Sequence, residues 1–110
     1  MIADRRTSVA FTGHRTYRGA AADALRRTVG ELYARGFRNF LSGMAVGFDL
    51  AAAEAVLELR ERVPGVRLVA AVPFRGQEMR FSPADRERFR RVLAEADSVE
   101  VLAPAYHRGC

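Results

Sequence analysis

Seven alternating segments constrain this chain more than any other feature: four short apolar runs, the first three each followed by a stretch with helical spacing. Ser8-Val9-Ala10-Phe11-Thr12 predicts a first strand. From Ala20 to Arg35, Leu25, Val29, Leu32 and Tyr33 recur at helical spacing, and Gly36 is placed to end that helix. Phe37 to Leu41 reads as a second strand. Ala45 to about Arg62 reads as a second helix with Leu50, Ala53, Val56 and Leu57 on one face, broken by Pro64-Gly65. Val66 to Val72 is the clearest strand. Ser82-Pro83-Ala84-Asp85 opens a third helix with a capping hydroxyl, a proline at the first helical position and an acid in the first turn. Phe89, Val92, Leu93 and Ala96 form its core stripe, and Ser98 to Leu102 is the fourth strand. A βαβαβαβ succession implies an α/β fold, a mainly parallel sheet with helices packed on its faces.

Composition narrows what such a fold can serve. With 110 residues, no internal repeat and no linker, residues 1–110 are expected to form one domain near the small end for a complete α/β fold. No window is apolar enough to span a bilayer, and the start MIADRRTSVAF lacks a signal core, so a soluble cytoplasmic protein without membrane contact is expected. The single cysteine, Cys110, rules out an intrachain disulfide framework and argues against a cysteine-based metal site. No ligand spacing joins His14 to His107, so neither a metal nor any other cofactor is expected. The formal charge is +5, and all 18 basic residues are arginine. Arginine's planar fork suits phosphate, so the charge favours an anionic partner without choosing between a nucleotide and a polymer.

In an open parallel sheet the ligand lies beyond the carboxyl ends of the strands, where loops feed helix N-termini. Three segments should converge there: Thr12-Gly13-His14-Arg15, Ser42-Gly43-Met44-Ala45-Val46-Gly47, and Pro73-Phe74-Arg75-Gly76-Gln77. Gly43 and Gly47 would let backbone approach a phosphate at the positive end of the second helix. Asp49 sits in that helix's first turn, where a carboxylate repels phosphate and either caps neighbouring N–H groups or accepts from a ribose hydroxyl. His14 is placed as a ligand donor or a general acid or base, or else as a turn histidine satisfying local backbone. Arg15 is either a phosphate fork or a solvated arginine. Phe74 stacks on a base or packs the rim, and Gln77 is a polar contact. Glu54 reads as a solvated or ion-paired helix residue, and the arginines after Asp85 read as a solvated face.

Residue identities sharpen this. The stretch SGMAVGFDLAAAE (Ser42 to Glu54) resembles the Ser-Gly-x-Ala-x-Gly-x-Asp segment of the DNA-processing protein A (Smf) family, and more loosely the glycine-rich loop of the LOG phosphoribohydrolases, both of the SLOG superfamily. A small bacterial and phage SLOG family, the YspA/YoqJ-like one, is more similar still. Its pattern resembles AFTGHR (Ala10 to Arg15), FLSGMAVGFDLAAAEAVLEL (Phe40 to Leu59), VPFRGQ (Val72 to Gln77), ADSVEVL (Ala96 to Leu102) and YHRGC (Tyr106 to Cys110). The resemblance implies a Rossmann-like three-layer αβα fold and recognition of a nucleotide or nucleotide-derived ligand by Thr12, Gly13, His14, Arg15, Ser42, Gly43, Met44, Ala45, Gly47, Asp49, Pro73, Phe74 and Gln77.

It also implies more chain than is present. Such domains continue past the YxxGC-like segment through an Arg-Asn pair, another strand and a Gly-Gly-Thr turn, so residues 1–110 are expected to be the N-terminal part of the family domain. The Pro-Gly-Gly-x-Gly-Thr-x-x-Glu segment of the LOG enzymes is absent. No catalytic residue is therefore assigned, and LOG-like N-glycosidic hydrolysis, for which Asp49 and Glu54 are the nearby carboxylates, stands second to binding or sensing. The fourth strand, Val99 to Leu102, is expected to form an open sheet edge that recruits a second copy. Smf-like DNA binding is the remaining alternative. Arginine and aromatic residues do not alternate along a groove-tracking stripe, so duplex and single-stranded DNA should bind weakly, without sequence preference, and with affinity that collapses as salt is added. Fluorescence anisotropy across a salt series checks this; tight, salt-resistant binding to single strands would overturn it.

Overall fold

A computed structural model describes residues 7–11 and 22–102 of the chain. The elements are β1 (Ser8–Phe11), α1 (Ala22–Ala34), β2 (Asn39–Ser42), α2 (Phe48–Arg60), β3 (Arg67–Val72), a short 3₁₀ helix (Gln77–Arg80), α3 (Pro83–Glu95) and β4 (Ser98–Val101). The four strands form one all-parallel sheet in the order β1-β2-β3-β4. The Rossmann-like α/β class expected from the sequence is what the chain adopts.

Local chemistry sets most element ends. Gly36, at φ 106°, stops α1 in the left-handed region, where the Phe37 amide turns back to the Leu32 carbonyl at 3.0 Å. Ser82 caps α3 by accepting from the Asp85 amide at 3.2 Å, and Pro83 follows at the first helical position. Several boundaries move by one to three residues, and two of the shifts have a local cause. The second strand starts at Asn39 rather than Phe37, because the Phe37 amide still turns back to the Leu32 carbonyl at the end of α1. The second helix starts at Phe48 rather than Ala45, because Met44 and Gly47 both take positive φ.

The core forms where one face of the sheet meets the helices. Phe40, Ser42, Leu68, Ala70 and Val72, alternate residues of β2 and β3, are all buried. Helix α2 covers this face and is flanked by α1 and α3, so the three helices lie side by side as one layer. Sequential strands joined by right-handed crossovers place their helices on a common face. Of the αβα layers, the described residues thus supply the sheet and one helical layer. Central position explains why α2 buries Ala52, Ala55 and Leu59 besides the four residues that helical spacing selects.

Polar ties hold the layer in register. Arg88 of α3 donates to both carboxylate oxygens of Glu54 on α2, at 2.6 and 2.9 Å, and to Asp85 at 2.9 Å. The hydrogen bonds it donates to Glu54 hold the Arg88 guanidinium above its ordinary pKa, against the opposing effect of partial burial. Pairs this exposed contribute at most about 1 kcal/mol, so their effect is chiefly on helix alignment. Arg26 of α1 similarly reaches Glu58 of α2 at 2.8 Å. At the other end of the sheet, Asp97 accepts from the Leu68 amide at 2.8 Å and from Arg60 at 2.7 Å, joining β3, α2 and the start of β4.

β4 is an edge strand of the described sheet, with Val99 and Val101 each 43% exposed and Leu102 69% exposed. Among the described residues no helix is long and apolar enough to cross a membrane. Phe40 is wholly buried in an interior strand, so Phe40→Ala should lower unfolding free energy by about 3–5 kcal/mol. Leu102→Ala should change it by less than about 0.5 kcal/mol. Urea denaturation followed by circular dichroism reads both.

Candidate functional site

β1, β2 and β3 run parallel, so the segments following Phe11, Ser42 and Val72 leave the same edge of the sheet. The structure thereby brings together two of the three segments singled out in the sequence, Ser42–Gly47 and Pro73–Gln77. The third, Thr12, Gly13, His14 and Arg15, lies outside the described residues, as does the segment from Tyr106 to Cys110.

The loop after β2 is defined from inside. Ser42 is wholly buried, and its hydroxyl donates to the Asp49 carbonyl at 2.9 Å while accepting from the Met44 amide at 3.1 Å. Met44 has φ 65°, a left-handed conformation that costs a residue with a side chain about 1–2 kcal/mol. Complete burial of its side chain, worth about 1.5–3 kcal/mol, offsets that strain. Gly47, at φ 96° and ψ −121°, caps α2 in a backbone conformation closed to L side chains. Gly43 is favoured for a different reason. A Cβ there would lie 3.0 Å from Asp49 Oδ2, so the bare backbone makes room for a carboxylate that is itself only 9% exposed.

Both glycines therefore have internal causes, and neither alone points to a ligand. The segment between them is partly exposed at Ala45 and Val46. The Ala45 carbonyl takes the Leu50 amide at 3.0 Å and the Gly47 carbonyl takes the Ala51 amide at 3.0 Å, closing the first turn of α2. Among the described residues, no backbone carbonyl accepts from the amides of Ala45, Val46 or Gly47. Three successive amides ahead of a helix N-terminus, where the dipole is positive, form a setting suited to an anion or a polar ligand oxygen.

On the neighbouring segment Pro73 is exposed and Phe74 partly buried, and Gly76, in the left-handed region, leads into the 3₁₀ helix that periodicity did not indicate. Gln77 begins that helix, with its amide donating to the Phe74 carbonyl at 3.3 Å. Its side-chain Oε1 is buried and meets no donor among the described residues. Both oxygens of Glu54 accept from Arg88. Arg88 is the residue sequence reading missed: it looked like one of several surface arginines, and only its place opposite Glu54 sets it apart. Among the described residues, no three His, Cys, Asp or Glu side chains gather as a metal site.

Comparison with known proteins fits this geometry into a family. The profile of the YspA SLOG family matches residues 9–109. A UPF0398 protein of Bacillus pumilus (strain SAFR-032) is 33% identical over 76 residues, 69% of this chain and 41% of that protein. A UPF0398 protein of Bacillus velezensis is 39% identical over 57 residues, 52% of this chain and 31% of that one. The UPF0398 protein YpsA of Bacillus subtilis (strain 168) is 36% identical over 52 residues, 47% and 29% of the respective chains. The chain spans less than half the length of the curated relatives it matches.

The tight contact beneath Gly43 gives a direct test of the loop. Gly43→Ala should destabilise the fold by about 1–3 kcal/mol, the range for overpacking, because its Cβ must displace the Asp49 carboxylate. Gly30, inside α1 with nothing within 4 Å of an added Cβ, is the matched control. Gly30→Ala should stabilise by about 0.5–1 kcal/mol, and equal effects at the two positions in chemical denaturation would contradict the packing described.

Proposed function

Because this chain belongs to the YspA SLOG family, we propose that it is a binding or sensing module for a nucleotide or nucleotide-derived ligand, held over the N-terminus of α2. The carrying observation is the run of Ala45, Val46 and Gly47 amides at the carboxyl edge of a parallel sheet.

Magnitudes suggest how such a ligand is oriented. A helix N-terminus favours an anion by about 0.3–1 kcal/mol, rising to about 2 in partly buried sites. A phosphate charge about 5 Å from the Asp49 carboxylate is repelled by about 3 kcal/mol at an effective dielectric near 20. The carboxylate outweighs the dipole. A sugar hydroxyl donating to Asp49 therefore suits the inner loop better than a phosphate, which belongs further out. No arginine lies between Leu41 and Leu59, so phosphate charge must be met from neighbouring segments, by Arg15 or by the exposed Arg75. Hydrolysis at the sugar is the weaker reading, since Glu54, one of its two candidate carboxylates, is committed to Arg88.

A thermal-shift panel of AMP, ADP-ribose, a nucleotide sugar, adenosine and inorganic phosphate tests this, because a ligand that binds only the native state raises the melting temperature. AMP or ADP-ribose should raise it, and Gly43→Val should abolish the shift while circular dichroism stays native. Arg15→Ala should weaken phosphorylated ligands by about 1.5–3 kcal/mol, roughly ten- to 150-fold in Kd, and leave adenosine unaffected. No shift with any nucleotide, or unchanged binding by Gly43→Val, would overturn the reading.

A further inference from the structure

We infer that Ser42 is a positioning residue of this loop, one that makes no ligand contact and acts by holding Met44 and the first turn of α2 in a single geometry. The inference rests on the reading that the loop after β2 binds a nucleotide-derived ligand, and it assigns Ser42 a part different from the ligand contact that the sequence pattern suggests.

Ser42 closes β2 on the helix-facing side of the sheet, two residues after Phe40, and both are wholly buried. A hydroxyl there is costly unless it is hydrogen-bonded, and this one is bonded in both senses. It donates to the Asp49 carbonyl at 2.9 Å and accepts from the Met44 amide at 3.1 Å. One oxygen thus ties the strand end to the loop and the loop to the helix. Its two partners are informative. Met44 is the one described residue other than glycine with positive φ, so its amide bond is a restraint on the least favourable backbone of the turn. Asp49 carries the carboxylate that lies against Gly43, so its carbonyl bond fixes the residue that would meet a sugar hydroxyl. The three amides without a backbone carbonyl, Ala45 to Gly47, lie between these two anchor points.

Removing the hydroxyl deletes no group that would touch the ligand, but it releases the Asp49 carbonyl and frees Met44 to leave the left-handed region. Affinity then falls by the fraction of molecules that keep the bound-state loop. If about a tenth do, the apparent Kd rises about tenfold. A residue that supported only overall stability would change the melting temperature and leave affinity intact at temperatures where the chain is fully folded.

The experiment compares the chain with Ser42→Ala and Ser42→Cys at a temperature where all are folded, measuring the Kd for AMP by calorimetry and amide hydrogen exchange by NMR. Ser42→Ala should raise the Kd about tenfold and speed exchange at Met44 and Leu50, while Leu68 and Ala70 in β3 keep their protection. Ser42→Cys, which fills the same space with a weaker donor and acceptor, should fall between the two and serves in place of the alanine variant if that does not fold. Wild-type affinity in the substituted chains, or wild-type exchange at Met44 and Leu50, overturns the inference while leaving the ligand site standing. Failure of the unaltered chain to bind AMP counts against the ligand reading instead, and the exchange rates alone then decide whether Ser42 holds the loop.

Discussion

Burial of α2 between two helices and a sheet is the constraint on which the rest of the structure depends. In its middle, Ala51, Ala52, Ala53 and Ala55 have side chains small enough to let α1, α3 and the strands approach together, and Leu50, Val56, Leu57 and Leu59 fill the space that remains. A helix with larger residues at these positions would hold its neighbours apart, and the close packing that makes a core stable would be lost. Glu54 and Glu58 stand one turn apart on the same side of α2, where Arg88 reaches the first from α3 and Arg26 reaches the second from α1.

Fixing α2 also fixes its N-terminus, and this connects packing to the site. The helix begins only after a turn containing a left-handed methionine and a glycine in a conformation no other residue adopts readily. Strain of this kind persists where the surroundings over-determine it, and here they do: Met44 is held by its buried side chain below and by Ser42 at its amide. The outcome is a short stretch of backbone whose amides, among the described residues, meet no backbone carbonyl. Rigid elements on both sides hold it in place, which is the condition for recognising a ligand without reorganisation.

The strand order has a second consequence. Each strand is added beside the previous one in a single direction, so the three crossover helices collect on one face. Leu41, Val69 and Ala71 point to the other face and are only partly buried. Parallel sheets occur almost only with both faces covered.

Much of this was legible before any coordinate was known, because it is local. Helical spacing of Leu25, Val29 and Leu32, the stop at Gly36, the Ser82-Pro83 cap and the apolar run of β3 each depend on residues within a few positions of one another, and all appear where periodicity and capping place them. The Ser-Gly-x-Ala-x-Gly-x-Asp stretch likewise announced a loop entering a helix. Its internal logic did not show. The strand order, the sharing of one face by three helices, the pairing of Glu54 with Arg88 across 34 positions, the inward turn of the Ser42 hydroxyl and the carboxylate beneath Gly43 arise only when distant segments meet. A serine, a glycine or a glutamate carries the same chemistry wherever it stands in a chain. Which partner it meets, and whether water remains to compete for it, is settled by the packing around it.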